Sequence, residues 1–169
     1  MGDGVVPRVA GLSDERAVAV LALVLDRQQL MPDPFSQEQD QQQLEAALGQ
    51  PDIVVELAGE TETIMVIEPV AGATDGDLAR TALTHLAESD PATAALVEQA
   101  MDLDPAEGSR DFGVLVVGAL VLMAFHADIE VAKDPDKGWK FRFKTTGLKE
   151  STIGKLLGQL MGNFLSPTK

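Results

Sequence analysis

The sequence reads FGVLVVGALVLMAF at residues 112–125, DIEVAK at 128–133, GWKFRFKT at 138–145 and STIGKLLGQLMGNFL at 151–165. These segments are in turn wholly apolar, alternating, alternating and amphipathic. The patterns predict a buried helix, a β-hairpin and a second helix. With the rest of the chain they indicate an α+β fold that is mainly helical.

The apolar run has fourteen uncharged residues between Asp111 and His126. A helix needs roughly 20 apolar residues to span a bilayer. A shorter helix that is apolar on every side is typical of a protein core. We therefore predict a central buried helix over residues 112–126, with an interfacial or membrane-inserting segment as the alternative.

The predicted hairpin spans residues 128–145 and turns at Asp134–Gly138, where proline and glycine favour a turn. Side chains of a strand alternate between its two faces. The aromatic face carries Trp139, Phe141 and Phe143, and the basic face carries Lys140, Arg142 and Lys144. We expect the aromatic face to pack on the apolar helix and the basic face to be solvated. Alternatively, the basic face docks an acidic partner, a phosphate backbone or an anionic membrane.

The last predicted helix, with Ser151 as its N-cap, carries Gly154, Gly158 and Gly162 at four-residue spacing. Such a row forms a groove into which another helix can pack closely. The partner helix could belong to the same domain, to another subunit or to a membrane assembly. In any of these cases leucine at Gly158 would overfill the contact and destabilise the protein.

The succession of apolar helix, acidic strand start, GWKFRFK strand and leucine-rich helix over residues 112–165 resembles small uncharacterised bacterial proteins. Some of these are similar to effector-associated components of bacterial conflict systems. The resemblance implies an accessory or adaptor role beside a separate effector, with no catalytic residues.

A second hairpin is predicted over about residues 52–67, because two β-rich runs are joined across Gly59 and Glu60. Four strands in two hairpins suggest one antiparallel sheet, although the sequence leaves open whether the hairpins pair with each other. Helices are predicted from Ser13 to about Leu30, from Ser36 to Leu48, from Thr74 to about Ala87 and from Asp90 to about Met101.

Length and charge bear on domain organisation. The 169 residues are 45% hydrophobic and carry a net charge of −14, which predicts a single compact domain over residues 13–169 after a flexible lead-in at 1–12. An acidic helical part (13–111) and a basic C-terminal part (112–169) are the alternative. Residues 1–129 hold five basic and 23 acidic residues, and residues 130–169 hold eight basic and four acidic ones. The basic end of one subunit could thus meet the acidic body of another.

Catalytic and metal-binding patterns are absent from the sequence. It has no cysteine and two histidines, His85 and His126, which we interpret as structural. Carboxylates at 75–77 and 102–107 lack the ligand order of a calcium loop, and we interpret them as solvated caps. No phosphate-binding loop, dinucleotide fingerprint or hydrolase elbow occurs. We expect no enzymatic activity, no cofactor and no metal.

The predicted function is that of a non-enzymatic protein-interaction protein, a self-associating adaptor or accessory component that forms homo-oligomers. Candidate interaction residues are Trp139, Lys140, Arg142, Lys144, Gly154, Gly158 and Gly162. Membrane binding through the C-terminal glycine-rich helix is one alternative, and nucleic-acid binding by the basic hairpin is another. The N-terminus shows no secretory signal pattern, so we expect the protein in the cytoplasm.

Overall fold

The computed structural model describes residues 4–30, 33–49, 53–57, 62–65, 67–103, 117–125, 129–134, 136, 138–143 and 150–164. Helices in these ranges are α1 (Val5–Ala10), α2 (Asp14–Arg27), α3 (Pro34–Leu48), α4 (Asp75–Ser89), α5 (Pro91–Asp102), α6 (Val117–Ala124) and α7 (Glu150–Phe164). Strands are β1 (Ile53–Leu57), β2 (Glu62–Met65), β3 (Ile129–Asp134) and β4 (Gly138–Phe143). The prediction of a mainly helical α+β fold is confirmed.

Both predicted hairpins form, and they join into one sheet with the strand order β2-β1-β4-β3. Strands β1 and β2 pair antiparallel, as do β3 and β4. The central pair, β1 and β4, is parallel, so the suggestion of an entirely antiparallel sheet was wrong. A parallel pair needs a long crossover, and the chain between the hairpins supplies one, because it contains α4, α5 and α6.

The core forms where α6 meets the surrounding helices. Leu120 is 0% exposed and Val121 2% exposed, which confirms the buried-helix interpretation for Val117–Ala124. Residues 112–116 and His126, which we also assigned to this helix, lie outside the described residues. Helix α4 packs against α1, α2, α5, α6 and α7, whereas α3 packs against α6, α7, β3 and β4. Helix α3 thereby links the helices to the sheet.

Local capping explains where most helices begin. The Ser13 hydroxyl accepts from the Arg16 N–H at the start of α2, and Asp90 caps α5 with Pro91 at its first position. Thr74 begins α4 with a reciprocal capping box that includes Asp77. These starts agree with the sequence, because each hydrogen bond involves residues only three apart.

The starts of two helices and the lead-in differ from expectation. Helix α3 is capped by Asp33 instead of Ser36: the Asp33 carboxylate accepts from the Ser36 N–H at 2.8 Å, and Pro34 is tolerated in the first turn because no intrahelical donor is needed there. Helix α7 begins at Glu150, so Ser151 lies within its first turn. Within the lead-in that we predicted to be flexible, α1 forms because Val5 and Val9 bury their side chains in the core.

The capping box of α4 predicts an acid-dependent loss of stability. The Thr74 backbone N–H, followed by the Arg80 guanidinium, holds the pKa of Asp77 below its ordinary value. A lowered folded-state pKa stabilises the fold fully above the unfolded pKa of about 3.9, and this stabilisation is lost as pH falls through the folded value.

We therefore expect Asp77→Asn to be less stable than the wild type at pH 7 by less than about 1 kcal/mol, because the pair is partly exposed. The difference should shrink as the pH is lowered below about 4. Chemical denaturation at a series of pH values measures it. Glu38→Gln, at an exposed position of α3, is the control. A difference for Asp77→Asn that stays constant down to acid pH would contradict the assigned role of this carboxylate.

Candidate interaction surface

The two faces of β4 separate as the alternating sequence predicted. Phe141 is 2% exposed and lines a small apolar cavity with Val121 and Phe125, while Trp139 is partly buried and packs against the core. The aromatic face of β4 thus packs against the helical side of the fold. The side chain of Phe143 lies outside the described part of the structure.

The basic face of β4 is ion-paired within the sheet, which differs from the solvated or docking face that we expected. The Lys140 Nζ lies 2.8 Å from the Glu56 Oε1 on β1. The Arg142 Nε lies 3.1 Å from the Glu56 Oε2, and its Nη1 lies 3.1 Å from the Glu130 Oε1 on β3. Lys140 is only 8% exposed. Lys144, the third basic residue of this face, lies outside the described residues.

These ion pairs, called the ion-pair ladder below, connect the acidic part of the chain to its basic C-terminal part. Glu56 belongs to the acidic body, whereas Lys140 and Arg142 belong to the basic end. Parallel pairing of β1 with β4 places Glu56 opposite Arg142 and next to Lys140. Part of the charge complementarity that we assigned to contacts between subunits is therefore used inside one chain.

The glycine row of α7 receives a segment of the same chain that belongs to no helix or strand, instead of a helix. The Val70 N–H donates to the Gly158 carbonyl oxygen at 2.9 Å. A Cβ at Gly158 would lie 2.7 Å from the Glu68 carbonyl oxygen, and a Cβ at Gly162 would overlap the Val70 carbonyl oxygen. A Cβ at Gly154 would meet no atom of the described residues within 4 Å. The close approach was predicted, but its partner is the connection between β2 and α4.

The apolar face of α7 lies in the core. Leu156, Leu157 and Leu160 are each at most 3% exposed, and α7 packs against α3 and α4. Among the described residues no helix is both long and apolar enough to cross a membrane. Membrane binding by this face would require these leucines to leave the core.

The described residues among those that could carry metal or acid–base chemistry have structural partners. The His85 ring stacks on Phe125 with 4.0 Å between ring centroids, whereas His126 lies outside the described residues. Asp75 accepts from Asn163, and Asp102 pairs with Arg8. In the part of the chain that the structure describes, no group of three or more His, Asp or Glu side chains could hold a metal ion.

The apolar cavity lies between α3, α6, β4 and α7. Its volume is about 10 Å³, which is close to the minimum for one water molecule. Leu44, Phe125 and Phe141 are among the apolar residues that line it. A cavity of this size and composition is a packing gap in the core and has no room for a small-molecule ligand.

The feature that sequence reasoning missed is the edge of the sheet at β2, which is open among the described residues. Among the described strands, β2 pairs with β1 alone, and Ile64 on this strand is 63% exposed. Alternate residues of an edge strand direct their backbone N–H and C=O groups away from the sheet. The sequence predicted this strand, but its place at the edge depends on the pairing of β1 with β4.

A cross-strand row on the outer sheet face contains Ile64, Val54, Lys140 and Ala132. The other large apolar side chains that the structure shows as exposed are Phe35 on α3, at 68%, and Val70, at 40%. Ile64 differs from both because it lies on a strand whose outer backbone groups can accept another strand. This edge, Glu62–Met65 with the exposed Ile64, is called the β2 edge below.

Comparison of the chain with protein-family models, with curated proteins and with solved structures found no match.

Proposed function

We propose that this chain is a non-enzymatic protein-interaction protein, an adaptor or accessory component that binds an extended strand of a partner along the β2 edge. The observation that carries the proposal is the combination of a strand edge that no described strand covers with an apolar side chain that is 63% exposed. Main-chain hydrogen bonds would supply affinity, and a pocket or contact for Ile64 would supply specificity.

The sheet behind the β2 edge supports this role because it is held firmly. Strand β1 lies between β2 and β4, and the Glu56 contacts with Lys140 and Arg142 tie β1 to β4. A strand that is added to a preformed edge does not require the domain to reorganise, which lowers the entropic cost of binding. The resemblance of residues 112–165 to accessory proteins of bacterial conflict systems agrees with an adaptor role beside a separate effector.

The contacts of the basic hairpin and of α7 do not favour the two alternative functions. Lys140 and Arg142, the cations that nucleic-acid binding would use, pair with carboxylates of the sheet. The leucines that membrane binding would use are buried. The proposal places the protein in the cytoplasm, which a cysteine-free sequence fits.

The test compares the wild type with Ile64→Lys as baits in extracts of the native host, followed by mass spectrometry and by binding measurements with the purified partner. We expect an identified partner to bind the wild type and to lose at least about tenfold in affinity for Ile64→Lys, because a charge replaces the apolar contact. Phe35→Lys is the matched control, since Phe35 is exposed to a similar extent but lies on a helix. Equal binding by the wild type and Ile64→Lys would contradict the proposal.

A further inference from the structure

We propose that one occupant of the β2 edge is a second copy of this chain, paired antiparallel so that the Ile64 side chains of the two copies lie opposite each other. This inference rests on the proposed function of the β2 edge and adds the partner and the register. Two four-stranded sheets would then join into one eight-stranded sheet across a twofold axis at Ile64.

Symmetry restricts the register. When two identical antiparallel strands are related by a twofold axis perpendicular to the sheet, one residue must face its own copy, because side chains alternate between faces. Pairing at Ile64 joins two exposed β-branched side chains on the outer face, the kind of cross-strand pair that stabilises sheets. Val54 lies beside Ile64 on β1, so the dimer would carry a continuous aliphatic strip, from Val54 to Ile64 in one copy and on to the same residues in the other.

Repulsion between the two Glu62 residues favours a twofold axis at Ile64 over one at its neighbour Thr63. With the axis at Ile64, the two Glu62 residues are four residues apart along the strands, which is about 13 Å and exceeds the Debye length of about 8 Å at physiological salt. With the axis at Thr63, they are only two residues apart, at about 7 Å. A parallel, in-register pair would place Glu62 directly against Glu62, which is unfavourable.

The opposite edge of the sheet favours a closed dimer over an open chain of subunits. Strand β3 carries the exposed Lys133, whose Nζ lies 5.6 Å from the centroid of the Trp139 ring, and the sequence continues with Asp134 and Pro135. A lysine on an edge strand opposes the addition of a further strand, and a proline directly after that strand in the sequence has no backbone N–H to donate. If β2 paired with β3 of another copy, further copies could add without limit and form an open chain of subunits. If β2 pairs with β2, the assembly is complete with two copies.

The effect of salt on the dimer affinity should distinguish pairing through the β2 edge from a contact between the basic and acidic parts of two copies. Each chain has a net charge of −14, so two copies repel each other, and salt screens this repulsion. Association through the β2 edge should therefore strengthen as salt is raised. A contact between the basic end of one copy and the acidic body of another should weaken instead. A strand of four residues makes a small interface, and we expect a transient dimer.

The experiment is sedimentation of the wild-type chain, of Ile64→Lys, of Ile64→Glu and of an equimolar mixture of the two variants, up to about 1 mM protein. We expect the wild type to dimerise and each variant alone to dimerise at least about tenfold more weakly, because like charges then lie opposite each other. The mixture should recover a dimer that contains one copy of each variant, because lysine then faces glutamate. Phe35→Lys should dimerise as the wild type does.

A wild type that stays monomeric at about 1 mM in low and high salt would overturn the second copy as occupant. Dimers of both variants as tight as the wild type would overturn the assigned edge, and a mixture without recovery would overturn the register at Ile64. The proposed function is tested separately, by whether a different purified partner binds the wild type more tightly than Ile64→Lys. Circular dichroism of each variant confirms that the fold is retained, which we expect because the Ile64 side chain is mostly exposed.

Discussion

Replacing Phe141 by alanine is expected to lower the free energy of unfolding by about 3–5 kcal/mol. Phe141 is 2% exposed and borders the apolar cavity beside Val121 and Phe125. The substitution removes most of a buried ring and enlarges an existing gap, so the surrounding side chains have little means of filling the space. Urea denaturation with an unchanged slope would measure the loss as a shift in the transition midpoint.

The matched comparison is Arg142→Ala, one residue further along β4. Arg142 pairs with Glu56 and Glu130, but its side chain is 40% exposed. Partly exposed ion pairs contribute about 0–1 kcal/mol, so this change should cost several-fold less than Phe141→Ala. Similar losses at the two positions would mean that the faces of β4 are not divided between core and ion-pair ladder as described.

Replacing Gly162 by leucine should have the second largest effect, a loss of about 3 kcal/mol or more. Any Cβ at this position overlaps the Val70 carbonyl oxygen, which belongs to the backbone and cannot rotate away. Gly158→Leu should also destabilise, because its Cβ would lie 2.7 Å from the Glu68 carbonyl oxygen. For a domain of this size the Gly162→Leu loss corresponds to a fall in Tm of about 6–12 °C.

Gly154 provides an internal control on the same helix. A Cβ there meets no atom within 4 Å in the described part of the chain, so Gly154→Ala should raise stability by about 0.8–1 kcal/mol through helix propensity alone. Differential scanning calorimetry of these variants measures both the expected rise in Tm for Gly154→Ala and the expected fall in Tm for Gly162→Leu. A stabilised Gly162→Leu would show that the connection between β2 and α4 does not lie in the glycine row.

The sequence predicted features that depend on neighbours along the chain. The starts of α2, α4 and α5 follow from side-chain caps three residues from their partners. The predicted start of α3 at Ser36 is three residues too late, because Asp33 supplies the cap and proline fits the first turn of a helix. The faces of β4 followed from strict alternation.

Features that depend on distant segments could not be predicted in the same way. The parallel pairing of β1 with β4 joins residues more than 80 positions apart, and nothing local to either strand specifies that neighbour. For the same reason the sequence did not predict the ion pairs of Lys140 and Arg142 with Glu56. It predicted a solvated basic face, with a docking surface as the alternative. The glycine row indicated a close backbone contact, but it carried no information on which segment would fill it.

The β2 edge illustrates the same limit for function. Its strand was predicted, but an exposed Ile64 and an open edge follow from the order of all four strands. The candidate interaction residues on β4 and α7 lie largely in contacts within the chain, apart from Gly154 and Lys144, which lies outside the described residues. The interaction surface that we propose therefore lies on a different strand from the one with the strongest sequence pattern.

Amide hydrogen exchange of residues 62–65 as a function of protein concentration tests the role of the β2 edge most directly. Outward-directed amides of an edge strand exchange readily in the monomer and are protected when another strand pairs with them. Between about 10 µM and about 1 mM protein, we predict that alternate amides of β2 become protected while those of β3 do not change, and that Ile64→Lys abolishes the effect. Two results together would contradict a role of the β2 edge in binding. The first is amide exchange in β2 that does not depend on protein concentration. The second is exchange that is equal in the wild type and Ile64→Lys, both with and without a purified partner.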